Sequence, residues 1–127
     1  HEPLSLLGHP EEIRSAVLNL ITNAVRYTPR GGRIRVVWKR TGTGAVLTVA
    51  DTGIGISPEH LPRITERFYR VDKGRSRDTG GTGLGLAIVK HVMRRAGGEL
   101  SIESTPGEGS KFMLRFPEER IFSGRYL

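Results

Sequence analysis

Two runs of β-forming residues, Ile34-Arg35-Val36-Val37-Trp38 and residues 45–50, flank the short turn Thr41-Gly42-Thr43-Gly44. A turn that brief and glycine-rich brings the chain straight back, so the strands it joins pair antiparallel. A second pair obeys the same rule: residues 100–104 alternate as a strand, residues 105–109 turn, and residues 111–116 return. Parallel neighbours need a crossover of a dozen or more residues between strands. A doubly wound parallel sheet therefore fits less well than helices on one face of a mixed, largely antiparallel sheet.

The helices lie outside these hairpins. After a short apolar strand over residues 4–7, His9-Pro10-Glu11-Glu12 carries a proline and acids suited to a first helical turn. Ile13, Val17, Leu20 and Ala24 then recur at helical spacing as the buried stripe, and Thr28-Pro29-Arg30-Gly31-Gly32 ends the helix. Residues 58–70 hold one or two helical turns, and residues 71–82 form a long polar loop. A second long helix is expected over residues 84–96, stopped by Gly97-Gly98. The tail from Glu118 to Leu127 has no assigned element, and there is no internal repeat or low-complexity segment.

Composition narrows the class. A chain of 127 residues supports one domain with one core. The absence of cysteine excludes a disulfide scaffold and a thiolate zinc site. No apolar run approaches the ~18 residues of a membrane span. The net charge of +7 fits either an anionic partner (nucleic acid, a membrane surface or nucleotide phosphates) or a merely solvated basic surface. Much of the excess is local, in Arg63, Arg67, Arg70, Lys73, Arg75 and Arg77. Only Phe68 and Tyr69 interleave that stretch, which is thin for a platform that stacks single-stranded bases.

That stretch runs into Gly80-Gly81-Thr82-Gly83-Leu84-Gly85, which opens into Leu86-Ala87-Ile88-Val89-Lys90. A glycine-dense turn feeding a helix start suits phosphate, because free backbone N–H groups and the helix dipole converge there, although a flexible loop accounts for the same glycines. On the first helix Asn19, Asn23 and Arg26 share a stripe bordered by Tyr27. Mid-helix asparagines are poor helix formers. They read either as an exposed polar face or as carboxamide ligands for a hard cation such as Mg²⁺, with Arg26 for phosphate. Asp51 ends an apolar strand and precedes Gly53 and Gly55. A partly buried carboxylate needs donors, which an adenine amino group can provide while the glycines make room for the ring. A strand-ending aspartate with turn glycines accounts for the same residues.

Other nucleotide and hydrolase schemes fail on the residues. No Gly-Lys dipeptide exists for a Walker A loop, and Pro58, Leu86 and Ile88 stand where a third glycine would complete G-x-G-x-x-G. There is no His-Arg-Asp and no Gly-x-Ser-x-Gly elbow, and His1, His9, His60 and His91 lack zinc spacing.

Taken together the motifs resemble the ATP-binding catalytic domain of sensor histidine kinases. That family sits in a wider ATPase superfamily with DNA gyrase, the large heat-shock chaperone and the mismatch-repair ATPase. Leu18-Asn19-Leu20-Ile21-Thr22-Asn23-Ala24-Val25-Arg26-Tyr27-Thr28-Pro29 resembles its N box. Asp51-Thr52-Gly53-Ile54-Gly55-Ile56 resembles the first glycine box, and Glu66-Arg67-Phe68-Tyr69-Arg70-Val71-Asp72 the F box. Gly81-Thr82-Gly83-Leu84-Gly85-Leu86 resembles the second glycine box, and Gly107-Glu108-Gly109-Ser110-Lys111-Phe112 the closing strand. The order is that of the family, over residues 5–117. Thr65, and the Arg75-Ser76-Arg77 that follows, resemble the phosphate-regulon branch, whereas Arg26 departs from the usual lysine.

The resemblance implies an α/β (α+β) two-layer sandwich, with three helices on one face of a mixed, largely antiparallel five-stranded sheet. It implies ATP and Mg²⁺ as ligands. Asn23 would ligate Mg²⁺ with Asn19 supporting the reaction site, Arg26 would contact phosphates, and Tyr27 would line the adenine pocket. Asp51 would accept from the adenine amino group, and Gly53, Gly55 and Ile56 would shape the pocket. Arg70 would reach the γ-phosphate, and Gly81, Thr82, Gly83, Leu84, Gly85 and Leu86 would cap phosphates as part of a mobile lid.

The reaction implied is transfer of the γ-phosphate to a histidine on a separate dimerisation domain, with a response regulator downstream. No nucleic acid is expected. The whole chain, 1–127, reads as one domain of a longer, membrane-anchored bacterial sensor, monomeric by itself and on the cytoplasmic side. His1-Glu2 resembles a phosphoacceptor motif only superficially, since Pro3 follows at once. Alternatives from other classes are a regulatory module indifferent to nucleotide and a nucleic-acid-binding module built on the basic stretch.

Overall fold

The structure is a computed structural model that describes residues 4–6, 10–69 and 85–123. In chain order the elements are β1 (Leu4–Leu6), α1 (Pro10–Tyr27), β2 (Ile34–Thr41), β3 (Gly44–Asp51), α2 (Gly85–Arg95), β4 (Glu99–Thr105), β5 (Gly109–Pro117) and β6 (Ile121–Ser123). A 3₁₀ turn at Glu118–Arg120 separates the last two strands.

The main sheet has four strands in the order β2-β3-β5-β4. Both hairpins expected from the turns are present, and β3 pairs with β5 between them. Among the described residues every pairing is antiparallel, which corrects the expected mixed sheet. The expected count of five strands is also corrected: β1 pairs with β6 in a separate two-stranded ribbon, Leu4 opposite Ser123. The tail strand went unassigned because three residues carry too little periodicity to read.

Among the described residues there are two α-helices, not three. Residues 57–69 instead make successive turns, with Ser57, His60, Arg63 and Glu66 carbonyls accepting from His60, Arg63, Glu66 and Tyr69 N–H groups. Pro62 lacks the N–H that a continuous helix would need there. Leu61 and Ile64 nevertheless pack onto the core.

α1 starts at Pro10 with Glu11 and Glu12 in its first turn and closes with Arg26, each placed to favour the helix dipole. α2 ends in a Schellman motif: Gly97 sits at φ +74°, its N–H reaches the Arg94 carbonyl, and the Gly98 N–H reaches Met93. The two helices cover one face of the sheet. Ala16, Leu20 and Ala24 of α1 and Leu86, Val89, Val92 and Met93 of α2 meet Val49, Phe112, Leu114 and Phe116. Register explains the face: Val49 is opposite Phe112, Leu47 opposite Leu114 and Ala45 opposite Phe116. The next row of that inward face is Asp51 opposite Ser110, so a carboxylate and a hydroxyl stand where the apolar pattern ends.

Candidate functional site

Polar groups gather at that end of the sandwich, where the last turn of α1, the end of β3 with the loop after it and the start of β5 come together. Asp51 is buried to 9% exposure. Its Oδ1 accepts from the Gly53 N–H at 2.9 Å and from the Ser110 N–H at 3.3 Å. Oδ2 takes no hydrogen bond from any described residue. The carboxyl group is thus held by one oxygen and presents the other, an acceptor without a protein donor.

The loop after Asp51 is locked by backbone. The Ile54 N–H donates to the Tyr27 carbonyl at 3.2 Å, and the Gly107 N–H donates to the Ile54 carbonyl at 2.8 Å. A Cβ on Gly53 would stand 2.2 Å from the Tyr27 carbonyl oxygen, and one on Gly55 would stand 2.2 Å from that of Thr105. Gly55 also has φ +75°. The glycines were expected to leave room for a ring; what they accommodate in the structure is the carbonyls of the neighbouring elements. Ile56 is a core residue whose N–H donates to Ser104 Oγ at 2.7 Å.

The second side of the site is built from side chains. Asn19 Nδ2 donates to the Ser15 carbonyl at 2.8 Å, which aims Oδ1 away from its own helix. That oxygen lies 2.9 Å from where a Gly85 Cβ would be, so glycine at the first residue of α2 lets it pack closely on the Asn19 carboxamide. Asn23 and Arg26 are half-buried on the same side of α1 and pair with no described residue. Tyr27 is the last residue of α1. Leu86 is buried in the core, so its side chain packs while its backbone lies in the first turn of α2. Thr28 Oγ1, just past α1, is buried without a partner among the described residues.

Beyond this cluster, His60 Nδ1 hydrogen-bonds the Tyr69 hydroxyl, and the Arg63 guanidinium sits 4.7 Å from the Tyr69 ring centroid. Arg63 Nε also donates to Glu66 Oε2 at 2.7 Å, which raises the guanidinium pKa above its ordinary value. Phe68 is 66% exposed with φ +67°, an unusual backbone state for an aromatic residue.

The structure brings Tyr27, Asp51, Gly53, Gly55 and Ile56 together around the loop after β3 and sets Gly85, with the core residue Leu86 beside it, against Asn19; Asn23 and Arg26 lie along α1 between Asn19 and Tyr27. Arg70, Gly81, Thr82, Gly83 and Leu84 lie outside the described residues, as do Lys73, Arg75, Arg77 and Gly80 of the basic and glycine-rich stretch. Sequence reasoning assigned no role to Ser110 or Ser104, which hold Asp51 and the loop. Their signal was available: each is a polar residue in an inward register otherwise filled by Phe112, Leu114, Ile102 and Leu100.

Among the described residues no group of three or more His, Cys, Asp or Glu could hold a metal ion. None of the described helices is long and apolar enough to cross a membrane.

Comparison with known proteins agrees with this architecture. The chain is 55% identical to the phosphate regulon sensor protein PhoR of Pseudomonas aeruginosa over 93% of its own length and 27% of that protein's. It is 47% identical to the sensor-like histidine kinase SenX3 of Mycobacterium tuberculosis, over 90% of its length and 28% of the relative's. It thus spans about a quarter of the curated relatives it matches. The solved mycobacterial sensor histidine kinase MprB superposes with a TM-score of 0.77 at 31% identity, over 99% of this chain and 79% of that one. Residues 8–120 match the family described as histidine kinase-, DNA gyrase B-, and HSP90-like ATPase, and the chain belongs to that family.

Proposed function

We propose that the chain is the ATP-binding catalytic domain of a phosphate-regulon-type sensor histidine kinase. The observation that carries this reading is the half-engaged Asp51 carboxyl group at the polar end of the core. An acceptor with a free oxygen, fixed beside a locked loop, suits an adenine amino group. The solved structure of full-length ShkA, similar at 29% identity with a TM-score of 0.79 over 98% of this chain and 24% of that one, is in complex with AMPPNP, which supports a nucleotide as the ligand of a domain of this kind.

On this reading Tyr27, Ile56, Gly53 and Gly55 border the base, and Arg26 and the backbone N–H groups at the start of α2 take phosphates. The donor set fits Mg²⁺: the carboxamide oxygens of Asn23 and Asn19 are hard ligands, and Mg²⁺ characteristically completes its shell with phosphate and water oxygens. Bound there, the ion would neutralise charge on the transferring phosphoryl group. Asn19 is held by the Ser15 carbonyl with its oxygen toward the first residue of α2, where phosphates would be taken. Arg70 and the glycines at positions 80, 81 and 83 are assigned to the γ-phosphate and the lid by motif alone.

The protein contributes mostly positioning and charge, which is where catalysis of phosphoryl transfer lies. The acceptor would be a histidine on a dimerisation domain of the same membrane-anchored sensor, and a response regulator would take the phosphoryl group onward. The deciding experiment is incubation with γ-labelled ATP, Mg²⁺ and that dimerisation domain supplied separately. Acid-labile label on its histidine is expected with wild type and not with Asn23→Ala. Calorimetry of the chain alone should show Mg²⁺-dependent ATP binding that Asn23→Ala loses; no binding by wild type would overturn the reading. Salt-steep DNA binding that ATP does not compete would instead favour a nucleic-acid module.

A further inference from the structure

Ser104, on β4, makes more contacts than its position in a strand requires. Its Oγ accepts from the Ile56 N–H at 2.7 Å, donates to the Gly109 carbonyl at 3.1 Å and lies 2.7 Å from Ser110 Oγ. A serine hydroxyl has one proton. With that proton on the Gly109 carbonyl, the Ser110 hydroxyl must donate to Ser104, and Ser110 Oγ keeps only acceptor capacity. Ser110 sits directly opposite Asp51 in the β3–β5 register, and its N–H binds Asp51 Oδ1. Asp51 Oδ2 is likewise an acceptor. In that arrangement the inward row at the end of the sheet is acceptor-only.

We propose that Ser104 is a positioning residue for base specificity. By consuming the Ser110 proton and tying down Ile56, it keeps this edge complementary to an exocyclic amine and hostile to a carbonyl. The inference rests on the ATP reading above and extends it to the choice between 6-amino and 6-oxo purines. A site whose buried acceptors meet a carbonyl leaves lone pairs opposed, a mismatch more costly than a missing contact.

Calorimetry of the intact chain with ATP and GTP tests it. Wild type should prefer ATP. Ser104→Ala frees the Ser110 hydroxyl to donate, and the ATP:GTP affinity ratio should fall about 10-fold. Ser104→Thr, which keeps the hydroxyl, should restore it. A purely structural serine would lower the melting temperature and weaken both nucleotides alike; an unchanged ratio in Ser104→Ala overturns the proposal. A second measurement needs no variant: wild type should bind purine riboside triphosphate, which has no 6-substituent, more tightly than inosine triphosphate. Equal or tighter inosine binding also overturns it. Failure of wild type to bind ATP would instead sink the nucleotide reading itself, so the two failures are distinguishable.

Discussion

The two sides of the site are built in opposite ways. On the Asp51 side nearly every polar group is engaged, by backbone N–H groups, by carbonyls at van der Waals limits and by the Ser104–Ser110 pair. On the α1–α2 side the side chains of Asn23 and Arg26 stand half-buried without partners among the described residues, while Asn19 is held by the Ser15 carbonyl. A pocket made by packing is rigid before any ligand arrives, so it can discriminate shape and donor pattern at little ordering cost. A pocket made by unengaged side chains takes its form from the ligand and suits a group whose charge and position change during a reaction.

The contrast predicts how the sides break. Gly55→Ala should have the largest effect. Its left-handed φ and the Thr105 carbonyl leave no place for a methyl group, so urea unfolding should show a loss of about 2–4 kcal/mol. Wild-type stability would mean the loop is not set by backbone packing. Asp51→Asn comes next. It keeps an oxygen for the Gly53 and Ser110 N–H groups but replaces the free acceptor with a donor. ATP affinity in calorimetry should drop about 10- to 100-fold while the fold persists. Arg26→Ala should be mildest: affinity about 3- to 10-fold weaker, stability within ~0.5 kcal/mol of wild type. A large stability loss there would mean the α1 side is as structural as the other.

What the sequence made legible follows the same division. Both long helices, the hairpins and the apolar stripe on α1 were readable because their periodicity and turn residues act locally. Asp51 was readable as a buried acid because it ends an apolar strand. The reason for Gly53 and Gly55 was not, since the carbonyls they accommodate come from α1 and β4, far away in the chain. Ser104 escaped for a similar cause: its partners on the loop after β3 and on β5 meet only in the folded sheet. Of the β1–β6 ribbon only β1 was legible, as the short apolar strand over residues 4–7; β6, three residues paired across nearly the whole chain, was not.

That ribbon has a mechanical meaning. Residues 4 and 123 lie at one end of it, opposite each other, and the pairing runs from there to Leu6 and Ile121. Tension between flanking segments would load its hydrogen bonds one after another, as a zipper opens, rather than all at once in shear. The ribbon is then a clasp that yields first, and a tug from either side is spent there before the four-stranded sheet bears load.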